Sequence, residues 1–297
     1  MHIIITGGSG FVGTKLSAAL VGAGHTVTVV DLAPPRKPIA DVTFVKADLM
    51  HDAVPAVFGE CDAIIHLAGV SIFQRWTSAY KKLIIDSRVE TAKAIHDYLA
   101  KLPKRPKVFV SASAVGYYGN RGEELLKEDS GPGSDFLANV CEAWEGAART
   151  FADLDMRTVS VRTSIVIGPG GGMMAQVIPL FRYGIGGRMG SGKQWLSWIH
   201  IDDLVRVYTL AATNETLSGP VNASAPQAVP NKVFARTLGK VMNRPSFIPA
   251  PAFALRIVLG EFASAVLSSA HVIPNKLNEN SFTFAYPDIE SALRNSI

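Results

Sequence analysis

The 297-residue chain has few charged residues and few cysteines, and both shortages exclude classes of protein. Asp, Glu, Lys and Arg make up 18% of the sequence, below the usual quarter or so, and the basic residues are scattered. The net charge of +4 helps to attract an anionic small molecule, but it predicts no nucleic-acid partner. Cys61 and Cys141 are too few for a disulfide framework and indicate a reducing compartment.

Long apolar runs, targeting segments and clustered metal ligands are also missing. The most apolar late stretch, 252–270, contains Arg256 and Glu261, so it predicts an amphipathic helix, and we expect no membrane partner. The first strand begins directly after Met1, so we expect no signal peptide and a cytoplasmic location. The seven histidines have no paired ligand spacing, and no metal site is predicted.

A glycine-rich turn lies at the start of the chain. Residues 2–5 predict a buried strand, and the segment 6–13 (TGGSGFVG) predicts a turn that opens a helix. Backbone N–H groups and the positive end of the helix dipole then meet at one point, which suits a pyrophosphate. Gly7 permits the tight turn, Gly10 lets the backbone approach the phosphates, and Gly13 lets the helix pack closely.

A second predicted strand, 26–30, ends at Asp31, where an acidic residue meets the adenosine ribose of a dinucleotide. A glycine turn that serves packing alone is the alternative. The pattern favours a dinucleotide cofactor, bound by this turn, which includes Phe11 and Val12.

Strands and helices then alternate along the chain, which predicts an α/β fold with a doubly wound parallel sheet. Ligands of such sheets bind at the carboxyl ends of the strands. This topology adds further candidate cofactor residues: Asp48, Leu67, Ala68, Gly69, Ser111 and Val166. Val166 is expected beside the nicotinamide.

The character of the sequence changes after residue 165, where glycine-dense loops and proline-punctuated helices begin. We expect a dinucleotide-binding Rossmann domain over 1–165, with a return segment at 200–225. The segments 166–199 and 226–297 are expected to form a smaller, mostly helical C-terminal substrate lobe.

Several motifs along the whole chain resemble a known family. They are TGGSGFVG, the LAG at 67–69, SR-x-x-T at 87–91, SASAVGYYG at 111–119, C-x-x-WE at 141–145, GPGGG, GGRMGSGKQWLSWIHIDDL and the tail segments PAPAFALRIVLGE and FTFAYPDIESAL. The chain resembles the epimerase-like, atypical branch of the extended short-chain dehydrogenase/reductases, often labelled YfcH-like or SulA-like. The resemblance implies NAD or NADP as cofactor and an oxidoreductase or epimerase activity on a small polar substrate, such as a nucleotide sugar. A homodimer is a further possibility.

The usual catalytic pair of that superfamily is absent. Its members carry Tyr-x-x-x-Lys, in which the lysine lowers the pKa of the tyrosine and holds the nicotinamide ribose. None of the seven tyrosines here has a lysine four residues on. Counting back from Glu145 places Leu137 and Cys141 at the two positions. A cofactor-binding regulatory or scaffold protein with decayed catalysis therefore stays as the alternative function.

Three residues are candidates to replace that pair. Ser113 ends the fifth predicted strand, where the superfamily's serine contacts the substrate oxygen, and Tyr117 and Tyr118 follow on the loop. For the tyrosines, the alternative is that one ring packs the loop while the other is exposed. Cys141 is expected to be a core residue, and Glu145 a solvated or capping carboxylate.

Cofactor selectivity rests on Asp31 and Leu32, because a carboxylate accepts both ribose hydroxyls of NAD and repels the 2′-phosphate of NADP. Relatives often carry a small residue and then an arginine at these positions. NAD is therefore expected, and NADP stays possible because Arg36 is close enough to bind a phosphate. Arg88 of the SR motif is expected to reach the cofactor, with a surface salt bridge as the alternative, and Leu83 to pack nearby on the same helix.

The second glycine-dense loop, 184–192, is expected to lie beside the substrate pocket. Substrate candidates follow in and after it: Lys193, Trp195, Trp198 and His200. For His200, an acid–base role and a hydrogen bond into the core are both open.

Overall fold

The computed structural model describes residues 1–297, which form thirteen strands and ten helices. The strands are β1 His2–Thr6, β2 Thr26–Asp31, β3 Val42–Lys46, β4 Ala63–His66, β5 Val108–Ala114, β6 Leu125–Leu126, β7 Arg157–Thr163, β8 Ile165–Ile167, β9 Trp195–Leu196, β10 Trp198–His200, β11 Gly219–Ala223, β12 Val229–Pro230 and β13 His271–Val272. The helices are α1 Phe11–Gly22, α2 Ser78–Leu99, α3 Phe136–Arg149, α4 Gly172–Arg182, α5 Ile201–Thr213, α6 Asn231–Met242, α7 Ala252–Leu259, α8 Ala263–Leu267, α9 Asn275–Glu279 and α10 Ile289–Asn295.

Seven parallel strands form the main sheet in the order β11-β7-β5-β4-β1-β2-β3. The chain runs outward from β1 to β3 and then returns to place β4 on the other side of β1. This reversal opens a crevice at the carboxyl ends of β1 and β4, where ligands of doubly wound sheets bind. The predicted fold class is confirmed.

Continuous apolar runs form the central strands because both faces of the sheet are covered. Ile3, Ile4 and Ile5 of β1 are all fully buried. On one face the sheet packs against α1 and α5, and on the other against α2, α3 and the 3-10 turn at Thr150–Leu154. The glycine turn and the ends of the neighbouring strands are thereby held on a rigid frame.

A smaller lobe follows β7. Its core joins α4, α6 and α10 to the short strands around Trp198, with Phe181, Phe234 and Leu293 among the buried side chains. The chain returns to the sheet through α5 and β11, which pairs with β7 over Gly219–Ala223.

The expected single helix over 252–270 is not formed, because the chain breaks at Gly260, where φ is +61°. The result is α7, a 3-10 turn at Gly260–Phe262, and α8. None of the helices is both long enough and apolar enough to cross a bilayer.

Candidate cofactor and acid–base site

The glycine turn adopts a conformation that only glycine accommodates at its key positions. Gly7 has φ +68°, and a Cβ there would lie 2.8 Å from the backbone nitrogen of Ala68. A Cβ on Gly13 would lie 2.5 Å from Cα of Gly8, so the helix packs directly on the turn. α1 begins after Gly10, and no side chain accepts a hydrogen bond from its first N–H groups. Those donors are therefore free for an anion at the carboxyl end of β1.

Asp31 lies at the end of β2 and is tied to the glycine turn. Its Oδ2 accepts a hydrogen bond of 3.0 Å from the backbone N–H of Ser9, and its Oδ1 accepts one of 2.7 Å from Leu32. Leu32 and Arg36 are both exposed, and Arg36 forms no ion pair. The carboxylate is thus fixed at the outer edge of the groove.

The other predicted cofactor residues take varied positions. Phe11 packs against the GPGGG turn, since a Cβ on Gly171 would lie 2.2 Å from its ring. Val12 and Val166 are partly buried against the main core. Asp48 follows β3 and accepts a hydrogen bond from the backbone of its own turn.

The segment after β4 packs against a buried cation, the Arg88 guanidinium of α2. A Cβ on Gly69 would lie 3.0 Å from Cζ of Arg88, so glycine is what allows the guanidinium to lie there. Arg88 is only 8% exposed, and its Nη groups donate to the carbonyl oxygens of Ile84 and Val70, at 2.8 Å and 3.1 Å. Its Nε has no partner. The alternative of a surface salt bridge is therefore wrong.

Arg88 is a desolvated charge without a carboxylate. Burial lowers its pKa, and its Cζ lies 4.7 Å from the ring centroid of Trp144. Cys141, which stands where the superfamily's lysine is expected, is fully packed. Burial raises the pKa of its thiol to about 12, so Cys141 is neutral, as expected of a core residue. Leu83, five residues before Arg88, is exposed.

A buried histidine that the sequence analysis did not predict lies beneath the crevice, at the end of β4. His66 ends β4, and its Nδ1 lies 2.7 Å from Oγ1 of Thr6, while its Nε2 lies 3.2 Å from Oγ1 of Thr91. Burial lowers the pKa of His66 to about 4. The ring is therefore neutral and links the ends of β1 and β4 to α2.

Ser113 and Glu145 form the centre of a second buried group. The Ser113 hydroxyl donates a 2.7 Å hydrogen bond to Oε1 of Glu145. Glu145 pairs with Arg162 of β7 through contacts of 2.8 Å and 2.9 Å. Burial opposes the charge on Arg162, but the interactions with Glu145 and Tyr118 together outweigh it and raise the pKa of Arg162. The expectation of a solvated or capping Glu145 is wrong, because α3 turns this side chain toward the sheet.

The two tyrosines of the following turn differ in their surroundings. Tyr117 is partly exposed, and Cζ of Arg162 lies 3.5 Å from its ring centroid. Tyr118 is fully buried; its hydroxyl donates to Oδ1 of Asn222 at 2.6 Å and accepts from Arg162 at 2.9 Å. Burial raises the pKa of Tyr118 to about 12. Tyr118 is thus a packed network residue and does not present its phenol to a ligand.

Two of the four substrate candidates are buried away from any open surface. Trp198 lies in the lobe core and donates from Nε1 to the carbonyl of Gln227 at 2.8 Å. His200 is fully buried and caps α5, with Nδ1 accepting from the backbone N–H of Asp202 at 3.2 Å. This geometry corresponds to the core alternative for His200. The segment is buried because β10 pairs with β8 inside the lobe.

The other two substrate candidates reach the surface. Trp195 is partly exposed and stacks on His271 at a centroid distance of 3.9 Å. Lys193 is exposed. Neither shares a hydrogen bond with Ser113 or Arg88.

The sheet brings one set of predicted residues to a single edge. Thr6 of β1 is in register with His66 of β4, which is in register with Ser111 of β5. The glycine turn, the segment 67–69 and Ser113 therefore lie at the carboxyl ends of three adjacent strands, with Arg88 packed onto Gly69. Ser111 itself is buried and donates to the carbonyl of Ala112.

Arg162 and His66 are the residues that sequence reasoning missed. A signal for Arg162 was present, since it lies in the predicted strand 157–162, and an arginine in a buried strand requires a counter-ion. For His66 the signal was weaker, because a histidine between an apolar strand and a glycine also suits a packed core.

Comparisons with known proteins agree with this architecture. The sequence profile described as "NAD dependent epimerase/dehydratase family" matches residues 3–223, and a domain of unknown function, DUF1731, matches 250–296. An Arabidopsis thaliana chloroplastic homologue of the epimerase family protein SDR39U1 is 37% identical, covering 99% of this chain and 86% of that protein.

Two solved structures are similar over the whole chain. Human epimerase family protein SDR39U1, crystallised with NADPH, has a TM-score of 0.90 and 35% identity, covering 99% of this chain and 98% of that one. A nucleoside-diphosphate sugar epimerase from Corynebacterium glutamicum has a TM-score of 0.79 and 33% identity; it covers all of this chain, which spans 58% of that protein. The chain therefore belongs to the NAD-dependent epimerase/dehydratase family of extended short-chain dehydrogenase/reductases, with a DUF1731 domain at its carboxyl end.

Proposed function

We propose that the protein binds NAD(H) in the groove at the carboxyl ends of β1, β2 and β4 and catalyses hydride transfer at a carbinol carbon of a small polar substrate. The observation that carries this proposal is the glycine turn with its uncapped helix N-terminus beside Asp31. Gly7, Gly10, Phe11 and Val12 hold the pyrophosphate in this proposal.

The two ends of the cofactor meet different residues. Asp31 and Leu32 are proposed to contact the adenosine ribose, with Asp48 and the segment 67–69 along the groove. Arg88 and Val166 are proposed to lie at the nicotinamide end, with Ser111 below it. Leu83 is exposed and lies on the same side of α2 as Tyr80 and Ser87. In this proposal the bound cofactor covers it.

The choice of NAD over NADP is a proposal about this chain, since the human relative was crystallised with NADPH. The Asp31 carboxylate is held in place by two backbone N–H groups. A 2′-phosphate would meet a fixed negative charge there, whereas the two hydroxyls of NAD would donate to it. Arg36 is exposed and unpaired nearby, which keeps NADP as the competing cofactor.

When bound, the nicotinamide supplies the acceptor and donor of the hydride. Ser113 positions the substrate: its proton is directed to Glu145, so the lone pairs of its oxygen accept a hydrogen bond from a substrate hydroxyl. Glu145, neutralised by Arg162, fixes that orientation. Arg88 provides the buried positive charge that the superfamily's lysine otherwise supplies, which stabilises negative charge developing on the substrate oxygen.

Tyr117 is the remaining candidate for the proton transfer, because its ring is partly exposed and lies against the Arg162 guanidinium. Tyr118 is not proposed, since its hydroxyl is bonded on both sides within the core.

A nucleotide sugar is the substrate class proposed, and the name of the Corynebacterium relative supports it. Trp195 and Lys193 lie on the substrate lobe, where a base and an anionic group could bind. In an epimerase the hydride returns to the opposite face of the same carbon, so the cofactor shows no net turnover. A decayed scaffold is less favoured, because Arg88 and the Ser113–Glu145 bond are retained in a buried site.

Four further assignments belong to this proposal. The cofactor domain is proposed to comprise residues 1–165 and 200–225. The substrate lobe is proposed to comprise residues 166–199 and 226–297. Membership of the YfcH-like or SulA-like branch rests on the sequence motifs. A homodimer and a cytoplasmic location complete the proposal.

Titration with NADH and with NADPH, followed by nicotinamide fluorescence, tests the cofactor assignment. We expect NADH to bind about tenfold more tightly than NADPH, equivalent to ~1.4 kcal/mol of charge repulsion. Asp31→Asn should reduce this difference in affinity between the two cofactors. Failure of both dinucleotides to bind overturns the site, and tighter NADPH binding overturns the NAD preference. Incubation of the NAD-loaded protein with sugar nucleotides, followed by NMR for epimer formation, tests the reaction.

A further inference from the structure

The acidic residues of the chain are unevenly distributed, and two long segments lack them. Between 166 and 199 and between 226 and 260 the sequence has no Asp or Glu, yet it carries eight basic residues: Arg182, Arg188, Lys193, Lys232, Arg236, Lys240, Arg244 and Arg256. With 29 basic and 25 acidic residues in total, the rest of the chain has an acidic excess. Only Lys240 of the eight forms an ion pair, with Glu290 at 2.9 Å.

The same segments carry the most exposed large apolar side chains of the protein. Tyr183, Phe247, Phe253, Ile257 and Val258 are between 67% and 82% exposed, and no large hydrophobic residue elsewhere reaches that range. A protein surface normally scatters such residues singly. Five of them, together with a one-signed set of charges, indicate a surface with a function.

Backbone contacts hold these two segments side by side. The N–H of Gly190 donates to the carbonyl of Ala250 at 2.8 Å, and the N–H of Ala250 donates to the carbonyl of Arg188 at 2.9 Å. A Cβ on Gly184 would lie 3.7 Å from Cγ of Pro245. The exposed residues of 182–188 and 244–258 therefore form one region, which we term the basic apolar surface.

α7 is the most exposed part of the basic apolar surface. None of its eight residues is buried, and Phe253 and Ile257, one turn apart, lie on the same side of the helix with Val258 beside Ile257. Arg256 is exposed next to them. α7 packs on the protein through partly buried residues such as Leu259, and the apolar side chains on its other side are left uncovered.

We propose that the basic apolar surface docks the protein onto a bilayer that contains anionic phospholipids. Apolar side chains of α7 would enter the headgroup region while the arginines around them contact lipid phosphates, as in helices that lie in the membrane interface. This is a surface contact, and it revises the expectation of no membrane partner. It stands on residues apart from the cofactor groove.

Charge and shape both favour a bilayer over a second copy of the chain. A twofold dimer places the same surface against itself, which would bring two sets of unpaired arginines together. Phe253, Ile257 and Val258 also project from an exposed helix, so a protein partner would need a groove that matches them. A fluid bilayer needs none, and its negative surface complements the arginines.

Vesicle co-sedimentation of the full-length protein tests the proposal. We compare vesicles of phosphatidylcholine alone with an equal mixture of phosphatidylcholine and phosphatidylglycerol, at low and high salt. We expect binding to the anionic vesicles only, weakened by salt. Phe253→Ser should reduce the affinity about tenfold, and Arg256→Glu about fivefold or more.

Matched variants elsewhere on the surface serve as controls. Leu125→Ser removes an exposed apolar residue of β6, and Lys104→Glu reverses an exposed charge outside the basic apolar surface; neither should change vesicle binding. Absence of binding to either vesicle overturns the proposal. So does sedimentation velocity showing a dimer that Phe253→Ser dissociates, since the surface would then be covered by a second copy.

Discussion

Arg162 and Glu145 form a two-point ion pair in which neither side chain is more than 3% exposed. One oxygen of the same carboxylate accepts a hydrogen bond from the Ser113 hydroxyl. The pair therefore serves two purposes: it neutralises a charge inside the sheet and it fixes the hydroxyl that we assign to substrate binding.

Removal of one partner of this pair should be strongly destabilising. Arg162→Met leaves Glu145 as an uncompensated buried charge, and we expect the free energy of unfolding in urea to fall by about 3–5 kcal/mol. Arg162→Met with Glu145→Gln should recover part of that loss. Arg294→Met, which breaks an exposed pair with Glu290, should cost less than about 1 kcal/mol; an equal cost for the two arginines contradicts the prediction.

His66 should make stability depend on pH. Its folded pKa of about 4 lies below the unfolded value, so the unfolded state binds the extra proton between the two. Stability is therefore highest above the unfolded pKa and falls as the pH drops toward 4, by about 2 kcal/mol between pH 7 and pH 5 for this group. Urea unfolding at several pH values gives the slope of the free energy of unfolding against pH. We expect this slope to be smaller for His66→Gln than for wild type, and unchanged for His51→Gln, which alters an exposed histidine.

Gly7→Ala should abolish dinucleotide binding as well as reduce stability. The new Cβ meets the backbone at Ala68 within 2.8 Å, in addition to the strain of a positive φ. Gly24→Ala is the matched control, because it introduces only the backbone strain of a positive φ. Gly24 has φ +83°, and no atom lies near its Cβ position. We expect Gly24→Ala to cost about 1 kcal/mol and to bind NADH as wild type does. Comparable NADH affinity in both variants would show that the turn can relax.

The charge of Arg88 should matter more than its shape. Arg88→Gln removes the buried cation, and we expect NADH affinity to fall about tenfold, or ~1.4 kcal/mol, whereas Arg88→Lys should retain part of it. Both are measured by fluorescence titration, with exposed Arg149→Gln as the control. Equal losses in the glutamine and lysine variants, matched by equal losses in thermal stability, would point to a packing role alone.

Ser113→Ala should lower the rate of hydride transfer by about a hundredfold while leaving NADH affinity unchanged, because Glu145 keeps its pair with Arg162. Single-turnover NADH absorbance with a responsive substrate provides the measurement. Ser296→Ala is the matched control, since this buried hydroxyl lies outside the proposed site and donates to the carbonyl of Ala292 in α10. If Ser113→Ala transfers hydride at the wild-type rate, Ser113 has no part in the mechanism.

The fold was predictable because its determinants are local in the sequence. Apolar runs such as 3–5, glycines that require special conformations, and the alternation of strands and helices each act within a few residues. The glycine turn and Asp31 could be assigned to a cofactor for the same reason, since one strand–turn–helix unit contains most of that geometry.

The acid–base end was harder to predict because it depends on contacts between distant residues. Ser113 and Glu145 are 32 residues apart, and Tyr118 and Asn222 are 104 apart. Sequence spacing alone does not show that Glu145 of α3 faces an arginine of β7. Burial of Trp198 and His200 likewise follows from strand pairing within the lobe, which the glycine-dense loop before them did not reveal.

The tail of the chain is joined to the network around Ser113. Asn222, which accepts the Tyr118 hydroxyl, donates from Nδ2 to the carbonyl of Ile273, and Glu128 accepts from the backbone of Lys276. During synthesis, the cofactor domain can form its first strands long before residue 276 leaves the ribosome. The acid–base end reaches its final arrangement only after residues 273–276 have left the ribosome, so a polypeptide released before that point would lack the contacts of Ile273 and Lys276 with this network.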